Sequence, residues 1–289
     1  MTTETGRRAA PPEAIAAAKR ARRQAVISRL VLSTVGVIVA LIAWQLLADQ
    51  QGFALPSPLD TSRDIFENLF SSTYLELKGL SDGGGYTVHL WATTRNVLLG
   101  VSLGSVLGVS IGLLSLRIPL LSEVVNPLAA AFGAAPIFVA APFFLIWFGI
   151  QPFAQILMVA FYTALFMYIF SRRAGDNLGA GYIESALTLG GKPGSIFRYI
   201  YLPGTVPEIA GGFRITLAGA WGLAAIAELL GSQEGAGFLI KFFATAFVVN
   251  GMMSLVVLLG LIAIFFDRLV VFAFTYFTRW SESGRQLAL

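Results

Sequence analysis

The chain has 289 residues, of which 56% are hydrophobic and only 12% are charged. Soluble domains carry about 25% charged residues, so the composition excludes an ordinary soluble protein. There is no cysteine, which excludes disulfide frameworks, thiolate metal sites and cysteine nucleophiles. The net charge of +4 does not indicate a nucleic-acid-binding groove, because seven of the 20 Lys and Arg residues precede Leu30. We interpret the chain as an integral membrane protein.

The N-terminal region combines a basic tail with a first apolar span. Residues 1–29 are expected to form a cytoplasmic tail, with a basic helix on the membrane surface from Glu13 onward. Residues 30–48 are charge-free and long enough to cross a hydrocarbon layer of about 30 Å. A signal peptide has a shorter apolar region of about 7–15 residues, so we interpret 30–48 as a retained transmembrane helix.

Six transmembrane helices are predicted in total, which gives an all-α fold. A polar extracytoplasmic segment, 49–88, follows the first span and contains a short amphipathic helix near Ser62 to Phe70. The 48 residues of the charge-free run from Val124 to Ser171 are too long for one span, so they predict two helices joined at the GIQP turn, 149–152. The other three spans are Asn96–Leu116, Pro207–Leu230 and Asn250–Thr275.

Charges between the spans predict the topology. The loop from Asp49 to Tyr86 carries six acidic and two basic residues, whereas basic residues crowd the N-terminal tail and the connection at 174–206. By the positive-inside rule both termini are cytoplasmic, including a C-terminal tail at 278–289. The connection at 174–206 is therefore expected in the cytoplasm.

Glycine recurs every fourth residue in the second span, at Gly100, Gly104, Gly108 and Gly112. This spacing places the four glycines on one helical stripe, where another backbone can approach closely. We favour packing inside the bundle over a contact between two copies of the chain.

Several residues are candidates for a translocation path. Glu228 lies inside an apolar span, where an ionisable residue is costly; it either faces a water-filled cavity or forms a hydrogen bond to a neighbouring loop. Pro136 removes a backbone hydrogen bond where a cavity could open. Phe132, Phe138 and Trp221 would suit an organic substrate, with core packing as the alternative. Arg214 and Asp267 also lie within predicted spans. The lone His89 predicts a structural role rather than a metal site.

The stretch from Glu184 to Pro203, ESALTLGGKPGSIFRYIYLP, predicts two short helices. Gly190 and Gly191 can end the first helix in the left-handed conformation, and Pro193 suits the first turn of the second, which we expect to end at Pro203. The GGKPGS sequence is not a phosphate-binding loop, because Pro193 follows the lysine and Ala186 replaces the first glycine.

The same stretch resembles the cytoplasmic EAA loop of ABC importer permeases, E-A-A-x3-G-x9-I-x-L-P. Six of seven specified positions agree: Glu184, Ala186, Gly190, Ile200, Leu202 and Pro203, with Ser185 replacing the first alanine of the motif. Other segments resemble the nitrate/sulfonate/taurine branch of these permeases, namely LPSP at 55–58, HLWATTRNVLLG at 89–100, FLIWFGI at 144–150 and AWGLAAIAELLGSQEGAGFLI at 220–240.

The resemblance implies a type I, MetI-like permease core at 89–277 with an extra N-terminal helix, in a bacterial inner membrane. It implies two separate ATPase subunits that dock on the seven EAA positions, a second permease chain in a homodimer, and an extracytoplasmic binding protein. The chain itself would have no catalytic residue, cofactor or metal; ATP and Mg would bind to the ATPase. The substrate class would be a small, anionic solute such as a sulfonate, nitrate or taurine.

Two other functions remain as alternatives. An ion-gradient-driven secondary transporter or channel would need no docking loop, and such proteins often show inverted repeats, which this sequence lacks. A membrane anchor or assembly factor would show no dependence on substrate.

Overall fold

The computed structural model describes residues 12–135 and 137–277, which form helices and their connections. The α-helices are α1 Pro12–Gln51, α2 Pro58–Asn68, α3 Thr73–Leu77, α4 Gly85–Ser115, α5 Pro119–Ala134, α6 Ala141–Phe148, α7 Pro152–Asp176, α8 Ala180–Thr188, α9 Pro193–Ile196, α10 Leu202–Gly231, α11 Ala236–Thr245 and α12 Val249–Phe277. Short 3₁₀ turns lie at Gly52–Ala54 and Ile137–Ala140, and a π-helical turn lies at Phe197–Tyr201. The contacts divide the chain into two compact units, 1–61 and 62–289.

In the first unit, α1 is one uninterrupted helix of 40 residues. The basic segment from Glu13 is therefore not a separate helix but is continuous with the first apolar span, which begins at Val31. The end of α1 is tied to the following turn by the Trp44 indole N–H, which donates to the carbonyl oxygen of Pro56 at 2.9 Å. The apolar side chains of α1 between Val31 and Leu47 are mostly exposed, as expected for a helix surrounded by lipid.

In the second unit, the glycine stripe of α4 packs against α7. A Cβ atom at Gly104 would lie 2.6 Å from the Cβ of Thr163, and one at Gly112 would lie 2.7 Å from the Cβ of Ser171. Real Cβ atoms do not approach this closely, so only glycine permits the contact. The prediction that the stripe packs inside the bundle is confirmed.

The helices α4 and α7 run in the same direction. Gly100, Gly104, Gly108 and Gly112 oppose Val159, Thr163, Met167 and Ser171 in turn. Asn96 continues the register with the same offset of 59 residues, because its amide donates to Gln155 Oε1 at 2.8 Å. Two parallel spans require the chain between them to return across the membrane.

The returning segment is broken. Within residues 12–135 and 137–277, five helices are long and apolar enough to span a membrane. The pair of α5 and the stretch Ile137–Phe148, bent by 91°, makes a sixth if it counts as one span. The turn predicted at GIQP is confirmed, since α6 ends at Phe148, Gly149 has φ +80° and α7 begins at Pro152. The second predicted span begins earlier than expected: α4 starts at Gly85 and contains His89.

Helix α10 runs antiparallel to α7. A Cβ at Gly212 would lie 2.6 Å from the Cβ of Phe170, and one at Gly219 would lie 2.8 Å from Tyr162 Cζ. One buried apolar cluster forms where α4, α7 and α10 meet, and it includes Val97, Val159 and Trp221. The chain therefore brings the C-terminal ends of α4 and α7 together with the beginning of α10, and α8 and α9 lie in the connection between α7 and α10.

Candidate functional site

The first helix of the EAA-like stretch ends in a Schellman motif. The N–H of Gly191 donates to the Ala186 carbonyl at 2.8 Å, and the N–H of Gly190 donates to the Leu187 carbonyl at 2.9 Å. Gly190 has φ +80°, the left-handed conformation in which a side chain is strained. The predicted end of this helix is confirmed, and the residue required there by backbone geometry is Gly190.

The second helix of this stretch does not end at Pro203, and that prediction is wrong. The chain continues from α9 through the π-helical turn at Phe197–Tyr201 into α10 without a break. A proline within a helix removes one hydrogen bond and crowds the carbonyl four residues earlier. The wider π turn, in which the Leu202 N–H donates to the Phe197 carbonyl, lies directly before Pro203, so the helix passes the proline. The EAA-like stretch is therefore joined without a break to a membrane-spanning helix.

The α8–α9 segment, which we define as residues 180–201 and which includes the π-helical turn, presents apolar side chains at the surface. Leu189 at the turn is 88% exposed, and Leu187, Tyr182 and Tyr199 are also exposed. The Glu184 side chain is exposed and makes no hydrogen bond or ion pair with the residues that the structure describes. Exposed apolar groups of this extent mark an interaction surface.

Three of the EAA positions have less exposed side chains. Ala186 and Ile200 are half-buried, as is Pro203, whereas Ser185 and Leu202 are exposed. Ile200 and Pro203 line a cavity of about 570 Å³ between the end of α7, α8 and the beginning of α10.

An acidic residue lies in the wall of this cavity. Glu208 Oε1 accepts a hydrogen bond from the side-chain amide of Asn177 at 2.8 Å. The same oxygen is 3.9 Å from Arg173 Nε, too far for a hydrogen bond. The cavity therefore combines the rings of Tyr182 and Tyr199 with one carboxylate.

The five translocation candidates lie in different environments. Phe132 and Phe138 are half exposed, and Phe132 lines an apolar cavity of about 490 Å³ beside the break between α5 and α6. Pro136 lies outside the described residues. Trp221 is buried, and its ring packs 5.6 Å from that of Phe266. The structure does not bring the other four together into one site.

Glu228 is buried and holds the beginning of α11. Its Oε2 atom accepts hydrogen bonds from the Thr93 hydroxyl at 2.8 Å and from the Gly237 N–H at 2.9 Å. The Thr93 oxygen also accepts the N–H of Ala236 at 2.7 Å. Of the two possibilities left open by the sequence, the structure contains the hydrogen bond to a neighbouring loop, and a carboxylate at a helix N-terminus is favourable.

Two ion pairs were not predicted from the sequence. Arg214 on α10 donates two hydrogen bonds to Asp267 on α12, at 2.8 and 2.9 Å, and both side chains are about one-third exposed. Arg95 on α4 contacts Glu234 at 2.8 Å. Charge within an apolar span was the only signal that marked Arg214 and Asp267. The two residues are 53 positions apart in the sequence, so their pairing depends on how α10 packs against α12.

Residues 100–282 match the family described as "Binding-protein-dependent transport system inner membrane component". The chain belongs to this family. It is a multi-pass inner-membrane permease of the ABC importer class, and such subunits are generally non-catalytic. The matched part includes α10 and the whole α8–α9 segment, while α1, α2 and α3 precede it.

Curated relatives of this permease include the taurine transport system permease protein TauC of Escherichia coli, which is 28% identical over 78% of this chain and 82% of its own length. The formylaminopyrimidine transport permease protein ThiX of Halalkalibacterium halodurans is 26% identical over 80% of this chain and 88% of its own length. These names confirm the resemblance to the nitrate/sulfonate/taurine-like branch.

One chain of the MetNI methionine ABC transporter, solved in an inward-facing conformation, matches with a TM-score of 0.54 at 21% identity. The match covers 72% of this permease and 96% of that chain. The identity is low, so the comparison concerns the fold alone, and the fold is that of a MetI-type permease.

Proposed function

We propose that this permease imports a small anionic solute by alternating access, driven by two separate ATPase subunits that dock on the α8–α9 segment. One observation carries the proposal: the α8–α9 segment has an exposed apolar surface and continues without a break into α10. Movement of a docked ATPase would be transmitted along one continuous helix from Pro193 to Gly231. ATP and Mg would bind to the ATPase and not to this chain.

The remaining partners follow from the family. A binding protein would deliver the solute, and a second copy of the chain would complete the pathway. Both termini and the α8–α9 segment would lie in the cytoplasm. Phe132 and Phe138 are the candidates for a pathway surface, because their side chains are half exposed.

The substrate class rests on the relatives. Permeases with similar sequences carry names that refer to taurine, nitrate and aliphatic sulfonates, and all three solutes present negatively charged oxygen atoms. Uptake of labelled taurine into cells expressing the complete transporter, in competition with unlabelled sulfonates and nitrate, tests this class. Competition by none of these anions would contradict it.

The docking proposal is tested by copurification of the ATPase with the tagged, full-length permease. Leu189→Glu places a charge at the most exposed apolar position of the segment and should abolish copurification. Arg117→Gln is the matched control. Arg117 is exposed and lies two residues after Ser115, whose carbonyl accepts a hydrogen bond from Arg172 near the end of α7 at 2.8 Å, so it lies at the same end of the bundle as the α8–α9 segment. Equal ATPase recovery with both variants would refute docking at this segment.

A secondary transporter is the rival function. It would carry out uptake in vesicles that contain this chain alone with an ion gradient, whereas the proposed importer requires the ATPase and ATP. Transport by the isolated chain would therefore overturn the proposal.

A further inference from the structure

Two phenylalanine side chains at the C-terminal end of α2 are directed away from the rest of the protein. Asp64 accepts a hydrogen bond from the Tyr86 hydroxyl at 2.8 Å, and Asn68 accepts one from the Ser72 hydroxyl at 2.7 Å. Phe66, on α2, and Phe70, two residues after α2 ends, are 83% and 74% exposed. Large exposed aromatic groups of this kind mark an interaction surface.

An apolar groove begins beside these rings. Leu69, between Phe66 and Phe70 in the sequence, accepts the N–H of Thr87 at 3.0 Å and is thereby held against α4. The groove has a volume of about 570 Å³ and runs from Leu69 between α4 and α12, with Trp91, Leu261 and Phe265 in its walls.

The groove offers no unpaired hydroxyl to an occupant. Its two threonines donate to nearby backbone carbonyls, Thr87 to Gly84, directly before α4, at 2.5 Å and Thr94 to Leu90 at 2.7 Å. The other lining residues are apolar. Such a groove fits a hydrocarbon chain better than a polar ligand.

The position of the groove favours lipid as this occupant. Trp91 is 66% exposed and lies two turns inside the membrane-spanning helix α4, and tryptophan is enriched at the boundary between headgroups and acyl chains. Leu261 and Phe265, within the span α12, are exposed and continue the surface into the membrane. A soluble binding protein that dissociates would leave Phe66 and Phe70 in water, and non-obligate interfaces are no more apolar than the remaining surface.

We infer that this surface binds a phospholipid of the leaflet at the N-terminal end of α4. The rings of Phe66 and Phe70 insert at the headgroup boundary, and one acyl chain lies in the groove. Exposed charges nearby have both signs, with Arg63 and Lys78 balanced by Glu67 and Glu76. The apolar contacts therefore determine binding, and zwitterionic lipid is sufficient.

Single-cysteine spin labelling tests this inference, since the chain contains no cysteine of its own. Full-length Phe66→Cys, Phe70→Cys and Leu261→Cys variants are labelled and reconstituted in phosphatidylcholine vesicles. Asp82→Cys, at an exposed position in the loop before α4, is the matched control. Collision rates of each label with oxygen, which is concentrated in lipid, and with a water-soluble nickel chelate are then measured.

Oxygen collisions should exceed nickel collisions at 66, 70 and 261, and the ratio should reverse at 82. Nickel collisions in excess at 66 and 70 would place the rings in water and overturn the inference. Low rates with both reagents would also overturn it, because they would show a protein covering the surface, either a second copy or another subunit. Size-exclusion chromatography of each labelled variant verifies that it is folded.

Discussion

The carboxylate of Glu228, on α10, accepts the N–H of Gly237, on α11, at 2.9 Å, and both residues are buried. The contact requires glycine at two positions, because a Cβ at Gly235 would lie 2.6 Å from Glu228 Oε1 and one at Gly237 would lie 2.8 Å from Glu228 Cβ. The GSQEGAG loop therefore encloses one carboxylate. Through Thr93 the same group also joins α4.

Replacement of Glu228 by alanine should lower the free energy of unfolding by about 1–3 kcal/mol, since the buried Gly237 N–H and Thr93 hydroxyl would lose their acceptor. Glu234→Ala, which breaks the exposed contact with Arg95, should cost less than about 1 kcal/mol. Chemical denaturation of both variants in detergent measures the difference. A smaller loss for Glu228→Ala than for Glu234→Ala would show that the buried network does not stabilise the fold.

Alanine at Gly104 should destabilise the bundle by about 1–3 kcal/mol, because its Cβ would overlap the Cβ of Thr163 and the backbone of α7. At Gly260, where nothing lies within 4 Å of an added Cβ, alanine should be neutral or stabilising, since it favours the helix over the unfolded chain. Melting temperatures of the two variants should therefore change in opposite directions or by very different amounts. Equal decreases would contradict the close packing of α4 on α7.

A double-mutant cycle at Arg214 and Asp267 should show a favourable coupling energy of about 0.5–3 kcal/mol. The pair is bidentate but about one-third exposed, so solvent weakens it relative to a buried pair. The double alanine variant should therefore lose less stability than the sum of the losses in the two single variants. The pair Arg172 and Asp176, joined by a single 3.0 Å contact on one helix with the Asp176 side chain 56% exposed, is the control and should couple by at most about 0.5 kcal/mol. Equal coupling in both pairs would argue against a specific role for Arg214 and Asp267.

The effect of a substitution at Gly190 on stability should depend on the backbone conformation there and not on the space around the residue. An added Cβ meets nothing within 4 Å there, but φ is +80°. Alanine should therefore cost about 1–2 kcal/mol locally, and asparagine should cost less, because it tolerates the left-handed conformation. Gly194→Ala, with the same open space and an ordinary φ, is the control.

Under the proposed function, substrate-stimulated ATPase activity of the complete transporter should fall in the order Gly194→Ala, Gly190→Asn, Gly190→Ala. Equal activity of Gly190→Ala and Gly194→Ala would show that the Schellman turn is not needed for coupling.

Much of this fold could be predicted because single features of the sequence determine it locally. Charge-free runs longer than 18 residues must be membrane helices, since a bilayer leaves no other way to satisfy backbone hydrogen bonds. The left-handed turn at Gly190 and the turn at Gly149 follow from glycine itself. The amphipathic pattern near Ser62 to Phe70 predicted a helix, and α2 covers most of it.

Other features depend on residues far apart in the sequence. Pro203 indicated a helix end, but the π turn before it allows the helix to continue, and no local pattern shows that choice. Arg214 and Asp267 were visible as charges within spans, yet their pairing results from the packing of α10 against α12.

The sequence by itself determined the membrane class, the positions of most spans, the family and the turn at Gly190, because composition, span length and glycine conformation act locally. Only the tertiary structure decided what surrounds each polar group inside the membrane. Glu228 is buried at the N-terminus of α11, and the Phe66 side chain points away from the protein. Both outcomes depend on which helices meet, and helix packing is decided by many contacts between residues distant in the chain.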